Sequence, residues 1–176
     1  MVSKIAIIGP ESSGKTTLSR QLAQHYQTVW VEEYARRYID HLDRPYHQSD
    51  LREIARVQLQ LEAEAIAKAN CYLFCDTHLL VIKIWGDYKY GVSDPWIRDN
   101  MQLHSYAIHF LTDVDVPWEY DPQREHPHQR QVLWEIYRRE LTEAKVNMVH
   151  LKGNQEERLA QAVKVIDAYA VVSCLP

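Results

Sequence analysis

The apolar residues of this chain fall into two kinds of spacing. Short, nearly unbroken runs occur at 4–8, 29–31, 71–75, 106–111 and 146–151. Runs of that length, rich in Ile, Val, Leu and Phe, predict buried strands. Between them, apolar positions recur every three or four residues. Leu18, Leu22 and His25 share one face of a helix expected over 15–26, and 33–41 forms a shorter amphipathic segment. Leu51, Ile54, Ala55, Gln58, Leu61 and Ala65 mark the inner side of a long helix, with Ser49 as its expected N-cap and Asn70 at its close. Residues 79–85 read as helix and 86–93 as a loop rich in Tyr and Gly. Asp94-Pro95 opens another helix, with Asp as cap and Pro in the first turn. A polar loop over 117–127 carries three prolines, and helices over 129–145 and 155–171 complete the chain.

Strand thus alternates with helix from end to end. Parallel neighbours need crossover connections, so the pattern predicts an α/β protein with a five-stranded parallel sheet covered on both faces. There is no internal repeat and no linker, and one domain over 1–176 is expected.

Composition narrows the function classes. The net charge is −4 and the basic residues form no tail or stripe, so nucleic acid is not an expected partner. No apolar run approaches the roughly 20 residues of a membrane span, so no membrane partner and a cytoplasmic location are expected. The three cysteines, Cys71, Cys75 and Cys174, contain no CxxC pair and propose neither a disulfide frame nor a zinc site. Cys71 and Cys75 alternate with Leu73 and are expected to be small buried residues.

The segment Gly9-Pro10-Glu11-Ser12-Ser13-Gly14-Lys15-Thr16 meets G-x-x-x-x-G-K-[ST] at every fixed position, between a strand and a helix. This is the phosphate loop of the P-loop NTPases. Its glycines let the backbone wrap an anion, its N–H groups point inward, and the helix N-terminus adds positive potential. ATP is therefore the expected cofactor, with Mg²⁺. Lys15 is expected to bridge the β- and γ-phosphates, the Thr16 hydroxyl to ligate Mg²⁺, and Thr17 to lie near the α-phosphate.

Asp76 ends the third strand, and ligands of open parallel sheets gather at the carboxyl ends of strands. It is a candidate for holding Mg²⁺ or substrate; the competing reading is a cap for the next helix. Glu32 and Glu33 end the second strand, and one of them is expected to face the same cleft as hydrogen-bond acceptor or general base for a substrate hydroxyl. Arg36 follows one turn later. Trp85, Tyr88 and Trp118 supply flat rings that can stack on a base or pyridine ring, a cationic ring above all. Asp121, Arg124 and Arg130 lie in or beside the polar loop, where a mobile arginine segment can close over the γ-phosphate. His126 and His128 also lie there, with no third metal ligand in evidence.

Taken together, these motifs resemble the ribosylnicotinamide kinase domain of the bacterial NadR type. The matching features are 9–17, Glu33-Tyr34-Ala35-Arg36, Cys75-Asp76-Thr77, Trp85-Gly86, Asp115-Val116-Pro117-Trp118, Asp121 and Arg124. The resemblance implies a fold like the nucleoside and nucleotide kinases, in three layers, with a lid over about 119–130. It implies transfer of a phosphoryl group from ATP to the 5′-hydroxyl of nicotinamide riboside, giving nicotinamide mononucleotide. Carried over, Lys15, Glu33, Asp76 and Arg124 become the catalytic candidates. Glu33, Tyr34, Arg36, Asp76, Trp85, Tyr88, Trp118, Asp121 and Arg130 become substrate contacts, and Thr16 and Asp76 the metal ligands. His78 stands where the family pattern has Asp, and Pro122-Gln123 replaces a Gly-hydrophobic pair. The chain begins at the first kinase strand, so the DNA-binding and adenylyltransferase activities of the larger members are expected to be absent. The alternatives are a kinase for another nucleoside or nucleotide, or an ATP-dependent regulatory module.

Overall fold

A computed structural model describes residues 2–124 and 128–173, with the side chains of 171–173 left aside. Five parallel strands, β1 (Ser3–Ile8), β2 (Trp30–Val31), β3 (Tyr72–Asp76), β4 (Tyr106–Thr112) and β5 (Met148–Leu151), lie in the order β2-β3-β1-β4-β5. The helices are α1 (Lys15–His25), α2 (Tyr34–Asp40), α3 (Gln48–Ile66), α4 (Leu79–Tyr90), α5 (Pro95–Asn100), α6 (Arg130–Glu143) and α7 (Gln155–Ser173).

The central strands β1, β3 and β4 bury both faces along most of their length, which is why their runs read as continuous rather than alternating. Ile5 and Ile7 of β1 pack with Phe74, Ile108 and Phe110 beneath Leu18 and Leu22 of α1 and Ala162 and Ile166 of α7. On the other face Ala6, Ile8, Leu73 and Leu111 meet Leu80 and Ile84 of α4 and Leu133, Tyr137 and Leu141 of α6. A third cluster joins α2, α3, α4 and α5 through Ala35, Ile54, Leu79, Ile82 and Ile97. β1 pairs with β3 on one side and β4 on the other, placing Ile7 opposite Asp76 and Ile8 opposite Leu111. The crossovers diverge at this point of the sheet, so a crevice opens at its carboxyl edge.

Several expectations are corrected. Ser49 does not cap α3. The helix begins at Gln48, and His47 and Asp50 form a reciprocal capping box, with the His47 N–H donating to Asp50 at 2.6 Å. Asp50 earns that position by also taking Arg44 at 2.8 and 2.9 Å, and the guanidinium holds its carboxyl well below the usual range. The residues 86–90 continue α4 instead of forming a loop, and the helix closes on Gly91 at φ 82°. A Lys83–Asp87 pair at 3.0 Å supports the added turn. Gly86 permits close packing there, since a Cβ would stand 3.2 Å from Ser93. Cys71 is exposed just ahead of β3 while Cys75 is buried; Cys174 lies outside the described residues. Asp94 does cap α5, accepting from the Trp96 N–H at 2.8 Å. Among the described residues, no helix is long and apolar enough to cross a membrane.

Candidate functional site

The turn after β1 is dictated by crowding. Gly9 sits at φ 148°, and a Cβ there would come within 2.5 Å of the Thr112 hydroxyl. Ser13, buried, donates to Pro10 O at 2.7 Å and meets Thr112 Oγ1 at 2.8 Å, tying the loop to β4. Gly14 at φ 80° then delivers the chain into α1. Lys15 reaches back over the loop and donates to Pro10 O at 2.9 Å. Its ammonium is thus held by one neutral carbonyl that an anionic phosphate outcompetes.

This loop forms one wall of a cavity of about 430 Å³. All nine residues of the proposed ATP set, Gly9 to Thr17, line it. Glu33, Arg36, Trp85, Tyr88 and Arg124 line it as well. Tyr34, Asp76, Trp118, Asp121 and Arg130 do not.

Asp76 lies behind the cavity wall. Thr16 donates its hydroxyl to Asp76 Oδ2 at 2.6 Å, and Oδ1 is buried with no protein partner among the described residues. Burial and the neighbouring Glu33 charge push the Asp76 carboxyl up to about 7, against the lowering pull of Lys15 and Thr16. Thr77 follows at φ 80°, a rare region for a β-branched residue, and its N–H is anchored to Ile7 O at 3.0 Å. Asp76 does not cap α4. That role falls to His78, whose Nδ1 accepts from the Leu80 N–H at 3.1 Å, so the departure from the family pattern has a structural use. Of the two glutamates, Glu32 is exposed and Glu33 faces the cavity.

The segment over 113–124 contributes Val116, Pro117, Glu119, Gln123 and Arg124 to the cavity lining. Ser12 donates to Pro117 O at 3.4 Å and accepts from the Glu119 N–H at 3.0 Å, fastening the segment to the phosphate loop. At its far end Arg36 pairs with Asp121 at 2.6 Å, and Gln123 donates to Arg36 O and to Asp40. The covering segment is thereby fixed to α2. Arg36 and Asp121 hold each other rather than standing free. Arg130 is buried, and its guanidinium donates to the carbonyls of Ser12, Val114 and Val116. Trp118 is flanked by the Arg124 and Arg130 guanidiniums, 5.9 and 5.8 Å from its ring. His126 lies outside the described residues. Among the described residues no cluster of three or more His, Cys, Asp or Glu side chains is arranged to hold a metal.

The opposite lobe is apolar and aromatic. Trp85, tilted on Tyr46 at 4.9 Å, and Tyr88 project there from α4, with Ala35, Ile39, Ile84 and Leu133 beside them. Tyr34 packs outside the lobe against Tyr38, at 5.9 Å.

Arg158 escaped the sequence reading. It is 2% exposed yet reaches the cavity from α7. It donates to Ser13 O and Asp113 O and pairs with Asp115. The signal available in the sequence was a lone arginine on an amphipathic helix, which reads as surface. Its guanidinium makes the phosphate loop, the end of β4 and the root of the covering segment one rigid unit. Arg158→Met keeps the stem but strands two carbonyls and a carboxylate. It is expected to raise the KM for ATP at least about tenfold and to cost about 1–3 kcal/mol of stability. Nucleotide titration and a thermal melt measure both; wild-type values in the two assays would refute the proposed clamp.

Comparison with known proteins agrees with this geometry. Residues 4–158 match the family described as an AAA domain. The chain is 27% identical over 172 residues to the trifunctional NAD biosynthesis/regulator protein NadR of Salmonella typhimurium, covering 94% of this chain and 42% of that protein. It is 30% identical over 127 residues to NadR of Escherichia coli, covering 70% of this chain and 31% of the relative. The chain thus spans less than half the length of these curated relatives. A crystal structure of NadR in complex with NR superposes with a TM-score of 0.76 at 18% identity, covering 96% of this chain and 51% of that one. Thymidylate kinase from Ehrlichia chaffeensis superposes with a TM-score of 0.68 at 14% identity, covering 94% and 98% of the two chains. The chain belongs to the AAA domain family, with the P-loop fold of the nucleoside and nucleotide kinases.

Proposed function

We propose that this protein transfers the γ-phosphoryl group of ATP to the 5′-hydroxyl of nicotinamide riboside, yielding ADP and nicotinamide mononucleotide. The observation that carries the reading is one cavity lined by the phosphate loop, the Glu33 carboxylate and the rings of Trp85 and Tyr88. Relatives named for NAD biosynthesis, and a neighbour crystallised with NR and another with NAD and AMP-PNP, support the same assignment.

The roles follow from position. The phosphate-loop N–H groups and Lys15 bind and neutralise the triphosphate. Glu33 accepts the hydrogen bond of the acceptor hydroxyl and takes its proton as the oxygen–phosphorus bond forms and the bond to the β–γ bridging oxygen breaks. Trp85 and Tyr88 offer flat faces to a cationic pyridine ring. Arg124, at the covering segment, adds positive charge over the transferring group and helps exclude water. Tyr34, Trp118, Asp121 and Arg130 act on the site through the segments they hold.

The residues also fit magnesium. A hydroxyl and a carboxylate with a bare buried oxygen form the hard-oxygen pair that Mg²⁺ accepts, the remaining positions going to phosphate and water. Thr16 and Asp76 would hold it, and when bound it neutralises charge developing on the phosphate oxygens.

The test is an acceptor panel. With Mg·ATP, nicotinamide riboside is expected to raise ADP release well above the rate without acceptor, with nicotinamide mononucleotide as product. Thymidine, deoxyadenosine and thymidylate complete the panel. Preference for one of these would reassign the acceptor, and an unchanged rate with all of them would leave only the regulatory reading.

A further inference from the structure

Tyr137 lines the cavity from the middle of α6. Its ring belongs to the core cluster that contains Val81, Ile84 and Leu133, and the residue is 5% exposed. For packing alone phenylalanine would serve. The hydroxyl makes no hydrogen bond to protein among the described residues. The hydroxyl belongs to a cavity-lining residue and has no protein partner, so a ligand group entering the cavity is the natural partner for it.

The chemistry of the hydroxyl is also set by its neighbours. Burial, then the charges of Glu33 and Glu11, push the phenol up from its ordinary range. At neutral pH it keeps its proton and stands ready to donate. Glu33, on the same cavity, can only accept while ionised. An acceptor hydroxyl suits Glu33, whereas a carbonyl or ring oxygen finds no complement there.

We infer that the Tyr137 hydroxyl donates a hydrogen bond to an oxygen of the bound nucleoside, so that Tyr137 and Glu33 read an oxygen acceptor and a hydroxyl donor of the same molecule. The ligand class is a riboside carrying such an oxygen within reach of its 5′-hydroxyl. The inference rests on the nucleoside-kinase reading but not on nicotinamide riboside as the acceptor. Tyr137 is a specificity-determining contact, because its loss removes binding to one oxygen and leaves the phosphate chemistry in place.

Tyr137→Phe tests this without opening a cavity. The KM for the acceptor is expected to rise about 5- to 30-fold, with the KM for ATP within about twofold of wild type. The thermal midpoint without ligand should hold, because the ring keeps its packing and the hydroxyl lost makes no protein hydrogen bond. A purely structural tyrosine would do the reverse, lowering the midpoint and leaving the acceptor KM alone. The measurement uses whichever panel riboside the wild type phosphorylates best, so a best acceptor other than nicotinamide riboside would defeat that assignment and still judge Tyr137. An acceptor KM within twofold of wild type would overturn the inference. A wild-type protein that neither phosphorylates nor binds any riboside of the panel would overturn both.

Discussion

Lys15→Ala is expected to lower kcat/KM for ATP by about 10²–10³-fold while leaving the fold intact. The size follows from what the side chain does. Removal of one preorganised donor aimed at developing negative charge costs that much in comparable sites. Lys15 is also the one lysine among the cavity-lining residues. The unchanged fold follows from what the side chain does not do. It packs in none of the three core clusters and donates to a single loop carbonyl, Pro10 O. Surface positions of this kind shift stability by about 0.5 kcal/mol or less. Steady-state kinetics beside a thermal melt separate the two effects. A variant with normal turnover would remove the lysine from the phosphate site, and a variant that fails to fold would make it structural.

Asp76→Asn is expected to abolish most turnover, by about 10²-fold or more, and yet to stabilise the protein at neutral and alkaline pH. The carboxylate is buried, faces Glu33 and has one oxygen unpartnered. In the folded protein it titrates at about 7, against an ordinary value of 3.8. Between those two values the folded state carries a proton that the unfolded chain has released. Stability therefore falls as pH rises through that window, and above about 7 the full cost of the buried charge is present. Asparagine keeps an oxygen for the Thr16 hydroxyl and has no charge to bury. The gain is on the order of 2–4 kcal/mol at pH 8 and vanishes near pH 4. For a chain of this size it raises the melting midpoint by several degrees. Melting curves of both proteins at pH 4, 6 and 8 measure it. Parallel curves at all three values would show that Asp76 titrates normally and that strain at Thr77, rather than charge, dominates this corner.

The two substitutions together describe a common economy. The phosphate wall uses groups exposed to the cavity, whose removal costs function alone. The base of the site uses a buried acid, whose removal costs function and returns stability, as expected where a site is held in an unfavourable state for its chemistry.

Much of this arrangement was legible in the chain. The five strands, the phosphate loop and Asp76 at a strand end were readable because each is coded by contiguous residues. Unbroken apolar runs mark strands that are covered on both faces, and the loop pattern marks backbone that must turn and approach an anion. The errors have local causes. Gly86 predicts a loop because glycine usually breaks helices, whereas here it permits close contact between α4 and Ser93. Ser49 predicts a cap because serine favours that position, but His47 and Asp50 satisfy the helix start together and Arg44 secures the acid.

Pairings at long range were not legible. Arg36 and Asp121 are 85 positions apart, and Arg158 and Ser13 are 145 apart. Nothing in either local pattern identifies the partner. Tyr137 reads in the chain as one more core residue, and only the packing of α6 against α4 places its hydroxyl in a cavity facing Glu33 and Glu11. The sequence by itself determined the fold class and the phosphate-binding wall, because backbone conformation and strand burial depend on neighbouring residues. The tertiary structure decided which charges are paired, which acid is buried and which donors reach the acceptor, because those depend on distances between elements that chain order does not contain.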